Sequence, residues 1–208
     1  MKTKSEALEE IAEIRSLMEQ STRFLSLSGL SGILSGSYAL VAALYVYLMY
    51  YTEQSGSWMR YVSMEGPKKT PLLLTGITTL VLALTTMLGL SYRNANKKGI
   101  QFWSASSQRM LQSLSVPLLT GGLFCLILLY RGDGILVAPA TLIFYGLALV
   151  NASKHTVKDV HSLGMIQIAL GLMATFFAGH GLLFWSLGFG VMHIIYGTVM
   201  YLKYERAQ

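Results

Sequence analysis

Six stretches of this chain, 17 to 24 residues long, contain no Asp, Glu, Lys or Arg: residues 27–50, 72–92, 111–130, 135–151, 160–178 and 182–202. A helix of about 20 mostly apolar residues crosses roughly 30 Å of hydrocarbon. Within lipid, each backbone N–H and C=O must be satisfied by its own segment, so runs of this kind form helices. The expected fold is therefore all-α, a polytopic membrane protein. Composition agrees: 53% of the 208 residues are hydrophobic and 12% are charged, the latter about half the roughly 25% of a soluble domain. That balance excludes a water-soluble globule, and the charges are too few for a disordered chain. One cysteine, Cys125, lies inside an apolar run and cannot close an intramolecular bridge. The net charge of +6 does not indicate nucleic acid, because the cations are scattered between apolar runs instead of forming one basic face.

Short connections such as Arg131-Gly132-Asp133-Gly134 and Gly179-His180-Gly181 force neighbouring spans to be antiparallel, so six transmembrane helices arranged as three hairpins are expected. Twelve cations fall on one side: Lys2, Lys4, Arg15, Arg23, Arg93, Lys97, Lys98, Arg109, Lys154, Lys158, Lys203 and Arg206. Arg60, Lys68, Lys69 and Arg131 fall on the other. The excess places both termini in the cytoplasm, in a bacterial inner membrane. Tyr50, Tyr92, Trp103, Trp185 and Tyr201 sit near span boundaries as interfacial aromatics do. The first apolar run is too long for a signal-peptide core, so no cleavable leader is expected. The chain divides into a cytoplasmic amphipathic segment at 1–25, a membrane domain at 26–203 and a tail at 204–208.

The first, third and fifth spans open on similar tripeptides, Ser26-Leu27-Ser28, Ser113-Leu114-Ser115 and Ser162-Leu163-Gly164, while Gly89, Gly146 and Gly197 recur in the even spans. Faint internal repeats of this kind are common in transporters. Over residues 24–203 this layout resembles the bacterial acid-resistance membrane proteins built from repeated two-helix units. That resemblance implies the six-span architecture and transfers no functional residue, and the acidic leader departs from it.

In the leader, Leu8, Ile11, Ile14, Met18 and Leu25 share one helical arc, with Glu6, Glu9, Glu10 and Glu13 opposite. Interfacial helices that grip anionic lipid carry Lys and Arg on that face, so an acidic face points elsewhere. It can meet the basic connection of Arg93, Lys97, Lys98 and Arg109, pair with another chain, or stay solvated.

At 100° per residue, the first span puts Ser28, Gly29, Ser31, Gly32, Ser35, Gly36, Ala39 and Ala43 on one side and Leu30, Ile33, Leu34, Leu40, Val41 and Leu44 on the other. Small residues let helix backbones approach closely in lipid, and Gly32-x-x-x-Gly36 is the centre of that seam. Its partner is a helix of the same chain or of a second copy in a homo-oligomer. In the second span, Thr75, Thr78, Thr79, Thr85 and Thr86 fall within about 120°. Such a stripe lines a polar path or bonds the carbonyls three and four residues back. Pro117 and Pro139 are expected to kink or open the third and fourth spans.

No carboxylate lies in any span, which disfavours a conventional proton-driven pump. Histidine is the remaining titratable type. His193, near mid-depth in the sixth span, shares a small, partly polar face with Ser186, Gly190, Tyr196, Gly197 and Met200. Gln167, in the fifth span, is its most plausible polar companion. His161 and His180 lie at opposite ends of a helix roughly 28 Å long, so they cannot share a metal, and no cofactor or metal ligand set is evident. No catalytic motif appears, and a non-enzymatic protein is expected. The leading expectation is an intramembrane seam of Thr75, Thr79, Thr86, His193, Gln167 and Tyr196 that binds or passes a small neutral solute or lipid. The alternative is a membrane-anchored regulatory or scaffolding protein that engages a cytoplasmic partner through its leader and basic connection.

Overall fold

The structure, a computed structural model, describes residues 28–51, 69–99, 101–177 and 179–206. The leader at 1–25 and the connection at 52–68 lie outside these residues. Six helices are long and apolar enough to span a bilayer, and no strand occurs among the described residues. The protein is an all-α polytopic integral membrane protein. Its helices are α1 (Gly29–Tyr51), α2 (Lys69–Lys97), α3 (Ala105–Arg131), α4 (Val137–Ala152), α5 (Asp159–Phe176) and α6 (Gly181–Tyr204).

Local chemistry sets several of these ends. Ser104 caps α3 by accepting the Ser107 N–H, while the Ser107 hydroxyl accepts the Ser104 N–H, a reciprocal capping box. At the other end Gly132 adopts φ 85° and bonds the Leu128 and Leu129 carbonyls, a left-handed cap that glycine takes without steric penalty. Helix α3 then continues unbroken through Pro117. The fourth apolar run opens with a 3-10 turn at Gly134–Leu136, and Pro139 lies in the first turn of α4. Its missing N–H would have no helical partner there. Pro139 thus belongs to a helix start and does not interrupt one, contrary to the expectation from sequence.

Helix α6 is central. It packs against α1 on one side and against α4 and α5 on the other, with α2 outside α1 and α3 outside α4. The small face of α1 is the buried one: Gly29, Ser31, Gly36, Ala39 and Ala43 are covered, whereas Leu30, Val41 and Leu44 are exposed. Gly29 meets Gly197 and Tyr201, Gly32 meets Gly197, and Gly36 meets Gly190 and Ile194, so the helices run antiparallel. A Cβ at Gly32 would lie 3.0 Å from the Gly197 Cα, and backbones this close need glycine on the facing surface. Ser28, at the head of this face, is half-buried. A second seam joins α4 to α5, where Gly146 and Gly164 each stand against the other's carbonyl. These contacts fall within one chain.

Outside these seams the surface is apolar. Not one residue in the most apolar stretch of α2 is buried, and Leu74, Ile77, Leu80 and Leu84 stand outward. On α3 the same holds for Val116, Leu119, Leu123 and Ile127. In water such surface would forgo the roughly 25 cal/mol per Å² that burial contributes; against acyl chains there is no such loss.

Candidate functional site

Helix α6 is α-helical over Gly181–Trp185, widens into a π-helix over Ser186–Met192, and resumes α geometry from His193. A π-helical stretch is rare and often marks a functional position. At its end the His193 N–H bonds the Gly190 carbonyl. The Gly188 carbonyl, meanwhile, lies 3.0 Å from His193 Nδ1 and accepts Gln167 Nε2 from α5 at 2.8 Å. Because a carbonyl oxygen can only accept, Nδ1 is the protonated nitrogen of the neutral ring. Nε2 then accepts the Tyr145 hydroxyl from α4 at 2.8 Å. The 3.5 Å approach of Gln167 Nε2 to His193 Nδ1 is two donors converging on one oxygen.

Aromatic rings close around this network. Phe189 and Tyr145 stack on the imidazole at 5.8 and 5.4 Å between centroids, and Trp185 tilts onto Phe189 at 5.1 Å. Gln167 is fully buried and His193 is 8% exposed, while Tyr145, Phe189 and Trp185 keep partly exposed edges. Glycine at 188 lets these groups close in, because a Cβ there would displace Gln167 Oε1 and the end of the Leu142 side chain. One atom stays unmatched: Gln167 Oε1 is buried with no hydrogen-bond partner. A native structure leaves few such groups, and each calls for a reason. Tyr196, one turn beyond His193, also has a buried hydroxyl without a partner. Its ring packs beside Val157, Val160 and Met200.

The structure joins His193 to Gln167, and leaves the threonine stripe elsewhere. Thr75 bonds the Pro71 carbonyl, Thr79 the Thr75 carbonyl and Thr85 the Val81 carbonyl, each at 2.8 Å. Thr86 meets the Tyr38 hydroxyl of α1 at 3.4 Å. All lie on α2, on the far side of α1 from the π segment. A single seam built from this stripe and His193 is therefore corrected to two separate features. Tyr145 and the Gly188 carbonyl were not singled out from sequence. A tyrosine at the middle of an apolar run, away from both interfaces, was the available signal, since its hydroxyl must find a partner in hydrocarbon.

Compared with known protein families, curated proteins and solved structures, the chain finds no match. Its site is read from geometry alone. Among the described residues no group of three His, Cys, Asp or Glu could hold a metal. No charged side chain belongs to the network around His193, so the arrangement offers hydrogen bonds and aromatic surface but no ionic attraction.

Polar groups of another kind gather at one end of the bundle. Asp159, at the start of α5, accepts Lys203 Nζ at 3.0 Å and the Tyr204 hydroxyl at 2.9 Å. Glu205 accepts the Gly29 N–H at 2.6 Å, capping α1. Two clefts open at this end, one of ≈ 190 Å³ between the ends of α1 and α2 and one of ≈ 570 Å³ beside Tyr92, Phe102 and Trp103. Neither is lined by His193.

Proposed function

We propose that this protein is a non-catalytic receptor within the membrane, binding a small neutral molecule or lipid headgroup at the network between α4, α5 and α6. The reading rests on Gln167 Oε1, an acceptor buried without a partner beside groups that are otherwise paired. Leaving such a group unmatched costs about 1–3 kcal/mol, which a ligand hydroxyl or N–H recovers. A charged ligand would lose its hydration without gaining a counter-ion. The ligand is therefore neutral, with an apolar body for the faces of Tyr145, Phe189 and Trp185, and it arrives sideways from the bilayer. Binding is favoured over passage because the hydrogen bonds of the network close on one another.

The cation asymmetry of the sequence supports a bacterial inner membrane with the clefts on the cytoplasmic side. The test compares thermal stability of the detergent-solubilised protein with 1-octanol and with its methyl ether. Octanol should stabilise wild type in a dose-dependent manner and leave Gln167→Met unmoved, with the ether inert on both. Equal responses of wild type and variant to octanol would overturn the assignment.

A further inference from the structure

The cleft between α1 and α2 has a composition that the function proposed above does not use. Leu90, Arg93, Asn94 and Lys97 line it from α2, at spacings of i, i+3, i+4 and i+7 that put all four on one stripe. Leu30 faces them from α1. Arg93 and Lys97 directly follow the apolar run that ends at Tyr92, which fixes their depth at the headgroup layer. Both side chains are exposed.

Among the described residues, no ion pair holds Arg93 or Lys97. The described residues hold three acids: Asp133 pairs with Arg131, Asp159 with Lys203, and Glu205 bonds the Gly29 N–H. Glu205 lines the same cleft, yet no ion pair joins it or any other described acid to Arg93 or Lys97. Two cations, with the Glu205 carboxylate held on the Gly29 N–H, thus stand above apolar Leu30 and Leu90, at the level where a phosphodiester meets its acyl chains.

We infer that this cleft binds an anionic glycerophospholipid, with the phosphate between Arg93 and Lys97 and an acyl chain running past Leu90 and Leu30 along the α1–α2 surface. The shared chemistry with a free phosphate is the anion. The apolar floor and the membrane depth select the lipid, since two exposed cations alone hold a hydrated anion weakly. Near a membrane surface, a Lys or Arg attracts anionic lipid with several-fold preference, so the pair together supplies roughly tenfold or more.

The experiment is native mass spectrometry of the full chain released from detergent after titration with phosphatidylglycerol, phosphatidylcholine or inorganic phosphate. Phosphatidylglycerol adducts should persist on wild type and on Arg93→Lys/Lys97→Arg, and fall about tenfold on Arg93→Gln/Lys97→Gln. Lys154→Gln/Lys158→Gln, which removes exposed cations from another connection at the same end, should retain them. Equal retention on wild type and Arg93→Gln/Lys97→Gln would refute the site, as would an equal loss from Lys154→Gln/Lys158→Gln, which would mean general basicity. Displacement by inorganic phosphate at matching concentration would replace the lipid with a soluble anion. A tenfold rise on removing residues 1–22 would assign the cleft to the acidic leader instead. The Gln167→Met comparison with octanol does not depend on any of these outcomes.

Discussion

Helices α2 and α6 both carry polar residues through hydrocarbon, and they deal with them in opposite ways. On α2, three threonine hydroxyls turn back to carbonyls of their own helix and ask nothing of a neighbour, while Thr86 meets Tyr38 of α1. On α6 only one ring nitrogen of His193 turns back to its own helix, Nδ1 to the Gly188 carbonyl five residues earlier, and the other must find a neighbour. His193 draws in Tyr145 from α4 and shares the Gly188 carbonyl with Gln167 from α5. A polar stripe in a membrane helix is thus informative only when its side chains cannot satisfy themselves locally. Glycine follows the same division. Gly36 lies against Gly190 and Ile194, whereas Gly76 has open space around it.

The contrast breaks most visibly by filling those two glycines. Gly36→Leu should destabilise the detergent-solubilised protein by roughly 1–3 kcal/mol through overpacking of the α1–α6 seam. Gly76→Leu should leave stability unchanged or raise it by up to about 1 kcal/mol, since it replaces a poor helix former facing lipid. Equal losses in thermal or denaturant melts would show that α2 is as tightly packed as α1. Removing hydroxyls gives the next effect. Tyr145→Phe strips His193 Nε2 of its donor and should cost about 1 kcal/mol. Thr75→Val/Thr79→Val should stay within about 0.5 kcal/mol; a larger loss for the threonines than for Tyr145 would reverse the comparison. An exposed ion pair should matter little, so Lys203→Gln at the end of α6 should leave the melting temperature nearly unchanged, with any loss smaller still at high salt. The smallest effect is spectroscopic: nitrogen NMR of labelled His193 should report protonation at Nδ1 and an acceptor at Nε2. Tyr145→Phe should shift Nε2 alone, and a shift of both nitrogens would contradict the assigned tautomer.

Much of this was legible in the sequence. Charge-free runs of spanning length marked six helices, because hydrocarbon penalises charge severely enough to be read directly from composition. The small face of α1 was visible because helical periodicity sorts small from large side chains regardless of partner. The pairing of His193 with Gln167 followed from their scarcity as polar groups in apolar runs. The Gly188 carbonyl was not legible, since every residue has a carbonyl and only a tertiary contact distinguishes one. The π segment was hidden for the same reason: it accompanies the insertion of Gln167 against Gly188, an event between two helices. Pro139 misled because its effect depends on whether it falls in a first turn or mid-helix, and run boundaries are soft by a few residues. The threonines misled because periodicity gives a face but not the rotamer that turns a hydroxyl inward to its own backbone.

The α1–α6 seam brings together stretches about 160 residues apart, and ribosomes add residues at only about 5–20 each second. During that interval α1 sits in the bilayer with its glycine groove bare, for roughly ten to thirty seconds before the helix that fills it has been synthesised. Translation speed and translocon release thereby become part of this protein's folding problem, and an insertion chaperone would find its natural client surface in that unfilled groove.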